Sequence, residues 1–288
     1  MQSSNPVFTR NDSFNGRGGR AHDGYGSTTT REPSTWSVGA PGQPGQPSRQ
    51  SSAPPTAPIG TGRITIDSVV QKTAFTLGLL VLSAAVTWIL IGDVTTSDAA
   101  LARASTLALV GAFGGFGLAM VNSFKRVISP PLVLAYSVLQ GMAIGAISLI
   151  FETMYPGIVM GAVLGTVAAF AGTLTAYKVL DIQVTAKVRR GVIAAMFGFV
   201  AVTMLDLVLG FFGAAIGFNG FGTLGLLMSV AGVILGVLML ILDFDYVEKA
   251  IAAGAPESES WRAAFGLTVT IVWLYIEMLR ILAILRGD

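Results

Sequence analysis

Four acidic residues and one arginine, within or just at the end of the later apolar stretches of this 288-residue chain, could do chemistry: Asp206, Asp243, Asp245, Glu277 and Arg280. A charge within an apolar segment of membrane length is costly and marks a functional candidate by default. Asp206 lies about 16 residues into its stretch, about 24 Å deep at a helical rise of 1.5 Å per residue. Glu277 lies about 14 residues into the last stretch, and Arg280 follows three residues later, a spacing at which two side chains can pair along one helix face. Asp243 and Asp245 sit in ILDFDYVEKA at the end of the sixth stretch. Two residues apart on a helix, they point to nearly opposite faces, so at most one faces the bundle axis. If that helix runs on through Val247 to Ala250, both are drawn into the bundle. A carboxylate in low dielectric tends to hold its proton, so it can act as a pH switch. Carboxylate oxygens are also the ligands calcium prefers, although one or two do not make a site of six to eight oxygens. Acids with almost no lysine around them suit a cation path or a proton-linked gate better than an anion path. Each acid also has a plainer reading. Glu277 would form an ion pair with Arg280, Asp206 a hydrogen bond to a neighbouring helix, and the aspartate pair a helix end meeting water.

Seven apolar stretches must position these groups: roughly Val69–Ile91, Ala100–Asn122, Pro131–Ile150, Gly157–Leu180, Gly191–Phe212, Gly222–Leu242 and Ala263–Leu285. Each has about the 20 residues a helix needs to cross the hydrocarbon of a bilayer. In lipid the backbone must satisfy its own hydrogen bonds, so the predicted fold is an all-α, seven-transmembrane helix bundle with the lipid bilayer as its first partner. Charged residues make up only 12% of the chain, against about 25% in a soluble domain. Residues 65–288 read as the membrane domain and 1–64 as a disordered polar tail rich in Gly, Pro, Ser and Gln, unable to bury enough apolar surface to order itself. The tail lacks the apolar core of a cleavable signal peptide. There is no cysteine, and the single histidine, His22, lies in the tail. Thiol chemistry, Cys-ligated metals and histidine-based triads are thereby excluded from the bundle. No GxSxG or HExxH motif occurs, no lysine in span seven could hold a retinal, and the chain is expected not to be an enzyme. A net charge of +2 without a basic patch interleaved with aromatics gives no nucleic-acid partner.

Loop charges separate by sign. Basic residues occupy the tail (Arg10, Arg17, Arg20, Arg31, Arg49, Arg63) and the even loops (Lys125 and Arg126; Lys178, Lys187, Arg189 and Arg190; Lys249 and Arg262). The odd loops carry none, with Arg103 just inside span two and Arg286 at the far end as the discordant charges. The positive-inside rule places the N-terminus and the even loops in the cytoplasm, and the chain is expected to be a multi-pass protein of the plasma membrane. Small residues four apart (Gly141/Gly145, Gly161/Gly165, Gly232/Gly236) predict close helix packing, and Gly114–Gly115 is a candidate hinge in span two.

The sixth-span ending LMLILDFDYVEKAI and the last span WRAAFGLTVTIVWLYIEMLRILAIL, with ISPPLVLAYSVLQGMAIGAISLIFETMYPGIV and the opening SSNPVF, resemble the Bax inhibitor family in its bacterial, actinobacterial-like branch. The resemblance covers about Ile66 to the C-terminus. It implies a bundle with a central C-terminal helix and a pH-sensitive calcium leak channel, whose sensor is a pair of aspartates on spans six and seven. Phe244–Asp245 matches the span-six dipeptide, which makes Asp245 the implied sensor and a weak calcium contact, with Asp243 an extra acid. The span-seven position falls near Thr270, which can hydrogen-bond Asp245 but cannot share a charge. Glu277, seven residues further on, is about 10 Å away along the helix. On this reading calcium is a transported ion, no cofactor is held, and Glu277, Asp206 and Arg280 modulate the gate. The missing second aspartate and the long tail leave an alternative: a membrane modulator that binds another membrane protein, such as a membrane-bound protease or a stress-response complex.

Overall fold

The computed structural model describes residues 62–287 apart from 96 and 126. The expected tail through residue 61, His22 and Arg126 therefore lie outside the described residues. Seven helices follow one another: α1 (Ile66–Ile91), α2 (Asp98–Phe124), α3 (Pro130–Met154), α4 (Ile158–Val179), α5 (Ala186–Phe211), α6 (Thr223–Ala252) and α7 (Glu259–Gly287). All seven are long and apolar enough to cross a membrane, which makes this a multi-pass helical bundle.

Local sequence explains the helix starts. Thr65 and Ser68 form a reciprocal capping box at α1, and Ser97 and Thr185 each accept a backbone N–H at the starts of α2 and α5. Pro130 and Pro131 open α3, where a missing N–H costs nothing. Helix α6 continues to Ala252, well past Leu242, so Asp243 and Asp245 belong to the helix.

The chain rises and falls so that α1, α3, α5 and α7 start at one end of the bundle, where Lys72 from α1 meets Glu257 and Ser260 at the start of α7. This basic end also carries Lys125, Lys178, Arg189, Lys249 and Arg262. Ahead of α1, Ile64 donates its backbone N–H to Ala255 and Gly62 accepts from Glu257, tying the entering chain to the α6–α7 loop. At the opposite end Arg286 donates to the Pro156 carbonyl at 2.7 Å.

Helix α7 is central, packing against α1, α3, α4 and α6. It shares the interior with α3; these two are the most enclosed helices, while α2 leans on α3 and α5 on α6. Hydroxyl pairs tie α7 inward, Thr76 to Thr268 at 2.9 Å and Ser148 to Tyr275 at 2.6 Å.

The spaced glycines serve close backbone approach. A Cβ on Gly141 would lie 2.3 Å from the Leu80 carbonyl oxygen, and one on Gly145 would lie 2.4 Å from that of Ala84, both on α1. A Cβ on Gly111 would fall 2.6 Å from the α3 backbone and one on Gly115 would fall 2.5 Å from Gln140 Oε1, within an α2 that is helical from end to end. The hinge expected at Gly114–Gly115 is thus a packing surface. Gly145→Ala is expected to lower stability by about 1–3 kcal/mol, because overpacking against backbone cannot relax by a rotamer change. Gly117→Ala, whose Cβ meets nothing within 4 Å, should be neutral or stabilising by up to about 1 kcal/mol through helix propensity. Thermal unfolding of both variants in one detergent checks the opposite signs.

Candidate functional site

Thr270, Trp273, Glu277 and Arg280 recur on α7 at i, i+3, i+7 and i+10, and so form one stripe. The stripe runs from the basic end to the opposite end, and its first three members contact α6.

At the basic end Thr270 donates to Asp243 Oδ2 at 2.7 Å. The other oxygen, Oδ1, lies 3.1 Å from where a Cβ on Gly266 would sit, so the α7 backbone approaches the carboxylate closely. Asp243 is half-buried and lines a pocket of about 330 Å³ with Asn122, Ser123, Tyr246, Arg262 and Phe265. Asn122 is 3% exposed, and neither atom of its amide has a hydrogen-bond partner. Across the pocket Glu259 accepts from the Tyr246 hydroxyl at 2.6 Å and lies 3.4 Å from Arg262 Nε. Asp243 is therefore the one carboxylate on the pocket wall, facing an amide and a guanidinium.

Asp245 is placed differently from the expectation that Thr270 would reach it. Two residues along a helix turn the side chain by about 200°, so Asp243 meets α7 while Asp245 faces the start of α5. There Arg189 Nη2 lies 2.7 Å from Oδ2 and Lys249 Nζ lies 2.6 Å from Oδ1. Lys249 also donates to the Val184 carbonyl at 3.1 Å. Asp245 is buried, and both of its oxygens hold cations. A calcium ion at Asp245 would have to displace one of these partners.

Midway the seam is tight. Trp273 Nε1 donates to the Gly232 carbonyl at 3.0 Å, and Phe199 of α5 meets its ring edge-on at 5.4 Å. A Cβ on Gly236 would fall 2.6 Å from Leu274 Cδ2, and one on Gly232 would fall 2.8 Å from Glu277 Cδ. Beyond this point Glu277 is buried beside Ser229. Among the described residues Glu277 Oε2 and Arg280 Nε have no hydrogen-bond partner.

The expected Glu277–Arg280 ion pair does not form among the described residues. Arg280 Nη2 donates instead to the carbonyls of Phe218 and Gly220, the latter at 3.0 Å. Asp206 grips the same α5–α6 loop by its amides. Oδ1 accepts from Ile216 at 2.7 Å and Gly217 at 3.0 Å, and Oδ2 accepts from Asn219 at 2.7 Å. The partner of Asp206 is thus a loop, not the neighbouring helix that was expected. One acid holding the N–H groups and one base holding the C=O groups fix this loop over the end of the seam opposite the basic end.

Over residues 5–287 the chain matches the family model described as Bax inhibitor 1 like. The chain belongs to this family. The match reaches ahead of α1 almost to the start of the chain. No curated protein matches the chain. In this member of the Bax inhibitor family Thr270 of α7 meets Asp243 of α6 through its hydroxyl. Among the described residues no group of three or more acidic or histidine side chains is placed to hold a metal ion.

Sequence reasoning named Arg189 and Lys249 only as loop charges, and it did not single out Asn122, Ser229 or Trp273. The four-residue spacing of Asp245 and Lys249 was a usable signal for their pair. Nothing local marked Asn122, whose burial depends on how α2 packs against α3 beside the pocket.

Proposed function

We propose that this Bax inhibitor family protein is a passive leak for calcium or another cation, with its basic end in the cytoplasm and the plasma membrane as its site. The path follows the α6–α7 seam. The observation that carries this reading is the polar stripe of α7, with a carboxylate at each end of a tight apolar middle. Asp243 is the gate. Ionised, it gives the pocket a negative charge that draws in a cation; protonated, it leaves the pocket facing Arg262 alone. Thr270 can donate to either form, so gating works through charge rather than through breaking that bond. Asp245, clamped by Arg189 and Lys249, anchors α5 to α6. Glu277, Arg280 and Asp206 form the outer end. Calcium is cargo on this reading, and no catalytic step is assigned.

The close packing of Trp273 and Leu274 against Gly232 and Gly236 favours one other reading. A seam that never opens would suit a modulator that binds another membrane protein, such as a membrane-bound protease. Purified protein in dye-loaded liposomes is expected to pass calcium with a rate that changes over about pH 4 to 8, a range that covers exposed and desolvated carboxylates alike. Flux no greater than that of protein-free liposomes at every pH would rule out the leak.

A further inference from the structure

The turn joining α4 to α5 carries Lys178, Lys187, Arg189 and Arg190 against one acid, the exposed Asp181, and the proposed path does not use its unpaired cations. Lys178, Lys187 and Arg190 are exposed, and none forms an ion pair among the described residues. Their situation differs from that of Lys72, Lys249 and Arg262, which meet Glu257, Asp245 and Glu259. Arg189, the fourth cation of the group, divides itself: its side chain is 44% exposed while Nη2 bonds Asp245. The first turn of α5 holds Lys187 and Arg189 without an acidic residue. Like charges are thus gathered where the helix dipole opposes them. At the same level of the bundle Val179 and Leu180 are 75% and 69% exposed. Apolar side chains beside unpaired cations, at the end of a membrane-spanning helix, match the boundary between acyl chains and headgroup phosphates.

We propose that this turn binds the phosphate of anionic phospholipid headgroups, and that a headgroup bound there competes with Asp245 for Arg189. The lipid would thereby loosen the link between α5 and α6. Val179 and Leu180 favour a lipid over a free phosphate, because a soluble anion leaves them uncovered. Binding requires neither conduction nor a particular orientation, so the idea stands or falls apart from the leak.

The test is lipid retention by the full chain, measured by native mass spectrometry from micelles containing equal phosphatidylglycerol and phosphatidylcholine. Wild-type protein should keep phosphatidylglycerol preferentially. The triple variant Lys178→Gln/Lys187→Gln/Arg190→Gln should lose at least about tenfold of that preference, since each cation near a lipid surface contributes about fivefold. These exposed side chains hold no partner, so the variant should unfold at the wild-type temperature. Asp245→Asn frees Arg189 and should raise the preference several-fold. Equal retention by wild type and the triple variant would overturn the site. Displacement of the lipid by millimolar inorganic phosphate would show a phosphate site without lipid selectivity and overturn the lipid assignment. Retention by Asp245→Asn no higher than wild type, at a temperature where its helix content by circular dichroism matches wild type, would overturn the competition.

Discussion

Asp243→Asn is expected to flatten the pH profile of calcium flux and to hold it at least about tenfold below wild type at neutral pH, a loss of about 1.4 kcal/mol in ion attraction. A unit charge about 4 Å from an ion contributes about 4 kcal/mol at the effective dielectric of a protein surface, so a tenfold effect leaves room for screening in an open pocket. The substitution is conservative in shape. An amide oxygen can still accept from Thr270, so the α6–α7 contact seen at 2.7 Å is kept while the charge is removed. No other carboxylate can replace it. Glu259 is engaged by Tyr246 and Arg262, and Asp245 by Arg189 and Lys249. The matched Asp245→Asn variant separates the two aspartates. It should keep the pH dependence and lose stability instead, by about 1–3 kcal/mol, because a buried acceptor loses its charge while the two cations it held are about half exposed and stay hydrated. A flat profile for Asp245→Asn with a normal one for Asp243→Asn would return the gate to the residue that the family dipeptide implied.

The fold was legible because the membrane imposes a length and a composition that seven stretches of this chain meet. The extension of α6 to Ala252 was legible only as a condition, since Val247 to Ala250 can form either a helix end or a loop. The site was legible as a set of residues but not as a set of pairs. Asp243, Asp245, Glu277, Arg280 and Asp206 were found by the cost of a charge in lipid, an argument that needs no coordinates. Which of them meet depends on helix rotation and on loop path. Rotation gave Thr270 to Asp243. Loop path took Arg280 from Glu277, because the α5–α6 loop brings the carbonyls of Phe218 and Gly220 within its reach. Local spacing at i and i+3 permits a pair, but two backbone carbonyls from elsewhere in the chain outcompeted it. The orphan amide of Asn122 shows the same limit, since a residue at the end of an apolar stretch reads as a boundary until a neighbouring helix covers it.

Asp206→Ala is expected to release the α5–α6 loop and to lower stability. Three backbone amides lose a charged acceptor, and hydrogen bonds to charged groups are stronger than neutral ones. Part of the loss is offset because water can reach a loop once it is freed. The local signature is sharper than the global one: the amides of Ile216, Gly217 and Asn219, now bonded at 2.7–3.0 Å, should exchange hydrogen at least about tenfold faster, the change that 1.4 kcal/mol of lost protection produces. Asp206→Asn keeps an acceptor for Ile216 and Gly217 but turns a donor toward Asn219, so its cost should fall between alanine and wild type. Unchanged exchange at all three amides would mean that something other than Asp206 holds the loop. Arg280→Gln attacks the same loop from its carbonyl side and should speed exchange near Phe218 and Gly220 without unpairing the amides held by Asp206. Both variants bear on conduction. If the loop is the outer barrier of the seam, each should raise flux while leaving its pH dependence to Asp243, because the two ends act in series and only one of them titrates with the pocket. If the Trp273–Gly232 contact is the narrower point, loosening the loop changes exchange and stability and leaves flux where it was.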